Sequence, residues 1–203
     1  MNKYIRAINK LIIDSTECLR EEETVVPYIS VDNLAELIMR YAHRNQKREN
    51  GEDYANHPSS VADMFRYLFD PCHLEISGVS FEGAQEVCLL HDVVEDTKIT
   101  IDDLHDIFAY YGHKEYFNNY LKKPLESITH NKEDSYSDYI GEVLKNPVAS
   151  LVKMIDLQDN LFILGLISFD YKKYERAQNY LHWIYVINEK YHFIEKKRNI
   201  KKD

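Results

Sequence analysis

Glycine and proline are scarce in this chain, at six and five of 203 residues, so there are few turn-formers for a fold of many short strands. No apolar run approaches the ~20 residues that span a bilayer. The N-terminus, Met1-Asn-Lys-Tyr-Ile-Arg6, lacks an apolar stretch and a small-residue cleavage site, so no signal peptide is expected. Three cysteines, Cys18, Cys72 and Cys88, are an odd number without CxxC spacing. That pattern suits reduced thiols in a cytoplasm, with Cys88 as plain core. Net positive charge is absent too. The formal charge of −9 argues against a nucleic-acid or anionic-membrane partner.

What is present fits one globular domain. A hydrophobic share of 44% and an aromatic share of 12% exclude disorder. The apolar spacing is helical almost throughout. Ile5, Ile8, Leu11, Ile12 and Leu19 predict a first helix over 3–20. Asp32 reads as the N-cap of a second, with Leu34, Leu37, Ile38 and Tyr41 on its inner face. A polar, basic loop follows from Arg44 to Tyr54, turning at Asn50-Gly51. Next, His57-Pro58 predicts an N-cap histidine and a first-turn proline for a helix ending near Asp70-Pro71. A helix N-terminus there favours a neutral imidazole.

Helix four is expected over Phe81–Asp96, and Thr100 with Asp103 opens a capped helix stopped at Gly112. Pro124 is expected to stop the segment that begins at His113. Ser135 caps one further helix and Asn146-Pro147 another, which carries Asp156 and Asn160. The last helix runs from Tyr171 to about Lys197, with Leu181, Ile184, Tyr185 and Tyr191 inward, before a basic tail, Lys196–Lys202. No strand or repeat is predicted. The fold class is all-α, with residues 1–31 an N-terminal helical extension and 32–203 the main domain.

Chemistry concentrates at Leu89–Thr97, which reads Leu-Leu-His-Asp-Val-Val-Glu-Asp-Thr. An apolar helix that ends in His91, Asp92, Glu95 and Asp96 buries charge at a cost, and a divalent cation would relieve it. His57, His91, Asp92 and Asp156 form a candidate ligand set suited to Mn²⁺, Fe²⁺ or Zn²⁺ rather than to a thiolate site. Glu95 and Asp96 are then left to handle water or a proton. Read singly, His57 is also a helix cap, and a buried Asp156 is also a partner for arginine or lysine.

The ordered set His57, His91-Asp92 and Asp156 resembles the motif of the HD-domain phosphohydrolase superfamily. Three blocks resemble the hydrolase domain of the RelA/SpoT alarmone enzymes and their small stand-alone relatives. Ala42–Tyr54 with His57-Pro58 is similar to Ala-His-x-Gly-Gln-x-Arg-Lys-Ser-Gly-Glu-Pro-Tyr-x-x-His-Pro. Leu89–Thr97 matches its counterpart without a change, and Val152–Asn160 is similar to Val-Lys-x-Ala-Asp-Arg-x-x-Asn. The resemblance implies a single-domain helical bundle of the HD type that binds one Mn²⁺, or another divalent metal, through His57, His91, Asp92 and Asp156. It further implies that Glu95 and Asp96 act on the attacking water. Arg48 would meet the guanine, and Asn160 and Lys153 the ribose or phosphates. The implied reaction releases pyrophosphate from the 3′ position of ppGpp or pppGpp, a small nucleotide substrate, with no synthetase segment. His43 matches the family but implies a structural role beside the site.

The chain departs from the family at Asn45 for glycine, Glu49 for lysine and Leu157 for arginine. Glu49 is expected to raise KM by roughly ten- to thirtyfold. Two other readings fit the same motifs: an enzyme of this type acting on another nucleotide or NADPH, and a non-catalytic regulatory module.

Overall fold

The computed structural model describes residues 2–15, 28–68, 75–76, 79–166 and 170–194. Cys18, Leu19, Cys72, the Asp70-Pro71 break and the basic tail Lys196–Lys202 lie outside the described residues.

The chain is all-α, as the apolar spacing predicts. Helix α1 (Lys3–Ser15) buries Tyr4, Ile5, Ile8 and Ile12, and packs on α2 (Val31–His43) and α6 (Ile101–Tyr110). Leu11, expected on that face, is partly exposed instead. The cap of α2 is Ser30 rather than Asp32, because the Ser30 hydroxyl accepts from Asn33 N–H. Ala35 and Met39 are buried beside Leu34 and Ile38. Helix α3 (Asn56–Leu68) is followed by a two-residue antiparallel pairing of β1 (Glu75–Ile76) with β2 (Val79–Ser80). Strands that short leave no alternation to read, and they do not alter the fold class.

The expected single helix over Phe81–Asp96 is two: α4 (Ala84–Leu90) and α5 (Val93–Asp96), separated by a turn at His91-Asp92. Gly83 starts α4 at φ 80°, where a Cβ would lie 2.9 Å from both Tyr120 Cβ and Leu121 Cδ2. Only glycine tolerates both the left-handed backbone and that approach. Pro124 does not end its helix. Lys114–Tyr116 (α7) passes through a π-helical turn, Phe117–Leu121, into α8 (Lys122–Ile128), which contains the proline. In the wider π register Lys122 N–H bonds back to Phe117 O, and the chain absorbs a residue that has no N–H to give.

The expected caps at Thr100, Ser135 and Asn146 all form, opening α6, α9 (Tyr136–Val143) and α10 (Pro147–Leu166). Helix α10 is the central member, packed against α3, α4 and α11 (Tyr171–Tyr191). Helix α11 ends at His192 in a left-handed cap and turns Tyr180, Trp183, Ile184 and Ile187 toward the core. Leu181 and Tyr185, expected inward, are exposed, because the helix carries apolar and aromatic residues all round and its pattern does not single out one face. No described helix is long and apolar enough to cross a membrane.

Candidate metal centre

The loop that enters α3 is shaped by its own backbone. Arg48 N–H bonds to Glu52 O, Gly51 N–H to Arg48 O and Tyr54 N–H to Gln46 O. Gly51, at φ 86°, makes the tight return possible. Two successive bonds, Asn56 N–H to Asp53 O and His57 N–H to Tyr54 O, wind the chain before the expected start of α3. His57 is therefore inside the first turn rather than at the cap, and Pro58 is the third helical residue. The side chain is buried and directed at the turn that follows α4 and at the middle of α10.

There it meets three sequence-predicted partners. His57 Nε2 lies 3.0 Å from Asp156 Oδ1 and 3.4 Å from Asp92 Oδ2. His91 Nε2 lies 3.1 Å from the same Asp92 oxygen and 3.8 Å from Asp156 Oδ1. Both Nδ1 atoms are committed elsewhere. His91 Nδ1–H donates to Cys88 O at 2.7 Å, and His57 Nδ1–H to Asp159 Oδ2 at 2.7 Å. Carbonyl and carboxylate oxygens only accept, so both imidazoles direct Nε2 at the acid pair. His91 Nε2 is buried without a hydrogen-bond partner. His57, His91 and Asp92 can each offer one ligand atom within 4.8 Å of the others. Asp156 Oδ1 lies against both imidazoles, and its Oδ2 is paired with Lys153 Nζ at 2.9 Å. A largely buried cluster of two imidazole lone pairs and two carboxylates asks for a cation, and nitrogen and oxygen donors suit a divalent ion.

Proton affinities point the same way. Burial works against protonation of both histidines, yet Asp156, Asp159 and Asp92 raise His57 to about 9, and Asp92 and Asp156 raise His91. Burial alone would raise Asp92 and Asp156. Against it, His91 beside Asp92, and Lys153 with His57 beside Asp156, hold both acids below the ordinary carboxylate range.

Glu95 and Asp96 flank the cluster differently from each other. Glu95 is half-buried, and its Oε2 accepts from His130 N–H at 3.1 Å. Burial raises its pKa, although His130 N–H and the Lys153 charge oppose the shift. Asp96 is exposed, and Tyr54 Oη lies 2.9 Å from its Oδ2 and 2.7 Å from Asp92 Oδ2. One hydroxyl thus ties a predicted ligand to a predicted water-handling acid. His43 is buried behind them, its Nδ1 against Gln46 Oε1, and Gln46 Nε2 donates to Asp96 O. That agrees with a structural role beside the site.

The expected substrate residues are brought in, but not as free groups. Asn160 Nδ2 donates to Asp156 Oδ1 at 2.6 Å, and Lys153 pairs with that aspartate's other oxygen. Arg48 turns inward, only 7% exposed, with Nη1 2.9 Å from Asp159 Oδ2 and Nη2 3.2 Å from Asn160 Oδ1. Sequence reasoning missed Asp159 and Tyr54. It also missed Lys173 and Arg176 of α11, which reach Glu49 at 3.6 and 3.1 Å. The signal for Asp159 was its place about one turn beyond Asp156 on the same helix.

No family model matches the chain. The resemblance read from its motifs nevertheless extends along most of its length. The chain is 25% identical over 167 residues to a guanosine-3′,5′-bis(diphosphate) 3′-pyrophosphohydrolase of Vibrio cholerae, covering 80% of this chain and 22% of that protein. It is 28% identical over 156 residues to the bifunctional (p)ppGpp synthase/hydrolase SpoT of Escherichia coli, covering 74% and 21%. It therefore spans about a fifth of the length of these two curated relatives. Against the human pyrophosphohydrolase MESH1 it is 27% identical over 148 residues, covering 70% of this chain and 73% of that one. A solved structure described as a metazoan ortholog of SpoT that hydrolyzes ppGpp shares the fold, with a TM-score of 0.56 and 21% identity over 81% of this chain and 88% of that one.

Proposed function

We propose that this chain is a divalent-metal-dependent phosphohydrolase that releases pyrophosphate from the 3′ position of guanosine tetra- or pentaphosphate. The observation that carries the reading is the convergence of His57 Nε2, His91 Nε2, Asp92 and Asp156 in one largely buried cluster with Glu95 at its flank. Relatives named as 3′-pyrophosphohydrolases supply the substrate class. In this reading the four residues hold Mn²⁺, and residues 32–203 form the catalytic unit with 1–31 as its extension. The substrate is a small nucleotide met in the cytoplasm.

A bound divalent ion would lower the pKa of a water molecule and offset charge on the phosphate under attack. The chain's own groups do the rest. Glu95, made more basic by burial and fixed by His130 N–H, takes the proton of the attacking water. Asp96, held through Tyr54 Oη, orients that water from the open side. Lys153 and Asn160 keep Asp156 directed at the imidazoles and lie within reach of phosphate or ribose. Water then splits the substrate's 3′ phosphoester into pyrophosphate and guanosine 5′-di- or triphosphate, the released 3′ oxygen taking a proton.

The inward Arg48 favours one variation, a different base at the mouth of the site. The test is a chromatographic assay of the purified chain with saturating Mn²⁺ and, separately, ppGpp, pppGpp, NADPH and GTP. Pyrophosphate and GDP from ppGpp are expected. Intact ppGpp beside cleavage of another nucleotide would end the alarmone reading and leave the phosphohydrolase. No cleavage of any of them would favour a regulatory module.

A further inference from the structure

Asp159 lies outside the predicted ligand set, yet three side chains converge on it. Its Oδ2 accepts from His57 Nδ1 at 2.7 Å and from Arg48 Nη1 at 2.9 Å, and its Oδ1 accepts from Ser60 Oγ at 2.6 Å. Asp159 is 3% exposed, and the Arg48 side chain 7%, so water screens this junction little. The other imidazole of the cluster is held differently, by the neutral carbonyl of Cys88.

We infer that Asp159 is a positioning residue which sets the grip of His57 on the metal and, through the oxygen it shares with Arg48, couples that grip to the Arg44–Tyr54 loop. The inference rests on the proposed metal centre. A carboxylate behind an imidazole fixes the Nδ1–H tautomer and makes Nε2 a stronger donor to a cation. A guanidinium on the same oxygen withdraws part of that effect. A phosphate that draws Arg48 away from Asp159 returns the whole carboxylate to His57 and tightens the metal. By reciprocity, metal binding then strengthens the hold on that phosphate. His91, backed by a neutral carbonyl, has no such connection.

The test titrates Mn²⁺ alone, by calorimetry, into the chelator-stripped full chain. Asp159→Asn keeps an acceptor for Nδ1–H but removes the charge, and should weaken Mn²⁺ binding by roughly tenfold or more. Arg48→Met should bind Mn²⁺ more tightly than the unaltered chain, since the carboxylate is no longer shared. The double variant Arg48→Met/Asp159→Asn strands no buried charge, and carries the test if Asp159→Asn alone fails to fold. It should be as weak as the single. Unaltered affinity in Asp159→Asn or in the double variant would overturn the inference, and so would unaltered or weakened binding in Arg48→Met. An unaltered chain that takes up no Mn²⁺ overturns the metal centre itself, a result distinct from either of those.

Discussion

Glu49 Oε2 lies 3.1 Å from Arg176 Nη1, with Lys173 Nζ 3.6 Å from the other carboxylate oxygen. From sequence, Glu49 is an anion intruding where relatives have a cation. In the fold it is an anion held by two cations from α11, so the three together carry a net positive charge. The expected penalty on a polyanionic substrate shrinks accordingly. Glu49→Lys should change KM for ppGpp by no more than roughly threefold, while Arg176→Ala, which leaves Glu49 less compensated, should raise it by roughly five- to tenfold at similar kcat. Steady-state kinetics of the two variants check the order.

Loading the metal should stabilise the chain. An ion that binds the fold and not the unfolded chain adds roughly 2.7 kcal/mol at a hundredfold excess over Kd. The midpoint of thermal unfolding should therefore rise with Mn²⁺ and fall on chelation. His91→Ala should lose both the bound metal and the rise while keeping a helical circular dichroism spectrum. Metal analysis showing full occupancy in that variant would remove His91 from the centre.

Glu95→Gln and Asp96→Asn should each lower kcat by ~10²-fold or more and leave Mn²⁺ affinity in place. Tyr54→Phe removes only the hydroxyl between Asp92 and Asp96. Its expected effect is smaller, roughly tenfold, since both acids keep their positions on the backbone. Single-turnover rates, with metal content measured on the same samples, separate the three.

Glu86 offers a pH dependence away from the metal cluster. Burial, reinforced by the nearby Asp32, raises it from 4.5 to about 7, against the donation from Tyr116 Oη. A carboxyl with a raised folded-state pKa stabilises the fold at low pH, and that contribution is lost as pH climbs from 4.5 through 7. Its size is on the order of 3 kcal/mol. Glu86→Gln, neutral throughout, should unfold at a higher temperature than the unaltered chain at pH 8 and at nearly the same temperature at pH 4.5. Parallel melting curves across that range would show that Glu86 is not the group responsible.

Much of this was legible because the signals were local. Thr100 with Asp103, Ser135 with Asp138, and Asn146 before Pro147 each join a cap to the backbone three residues on, so spacing alone reveals them. His57, His91, Asp92 and Asp156 were legible as residue types that an apolar helix does not carry without reason. What stayed hidden depends on tertiary contact. The break at His91-Asp92 arises where the helix end meets His57 and Tyr54, which no periodicity records. The inward turn of Arg48 follows from Asp159, on a helix far away in sequence. The inner face of α11 is decided by α10, its main neighbour, because its own pattern is apolar on several sides.

The candidate ligands come from α3, the end of α4 and α10, segments far apart along the chain that meet only in the assembled bundle. Such a centre has no partial version in the unfolded chain, so an ion gains nothing until those three segments have docked. Its effect therefore falls on the way out of the native state. Loading should slow unfolding by nearly the full equilibrium gain and leave the rate of folding almost unchanged. The ion would work as a latch closed last, and the lifetime of the fold would follow the cell's supply of metal.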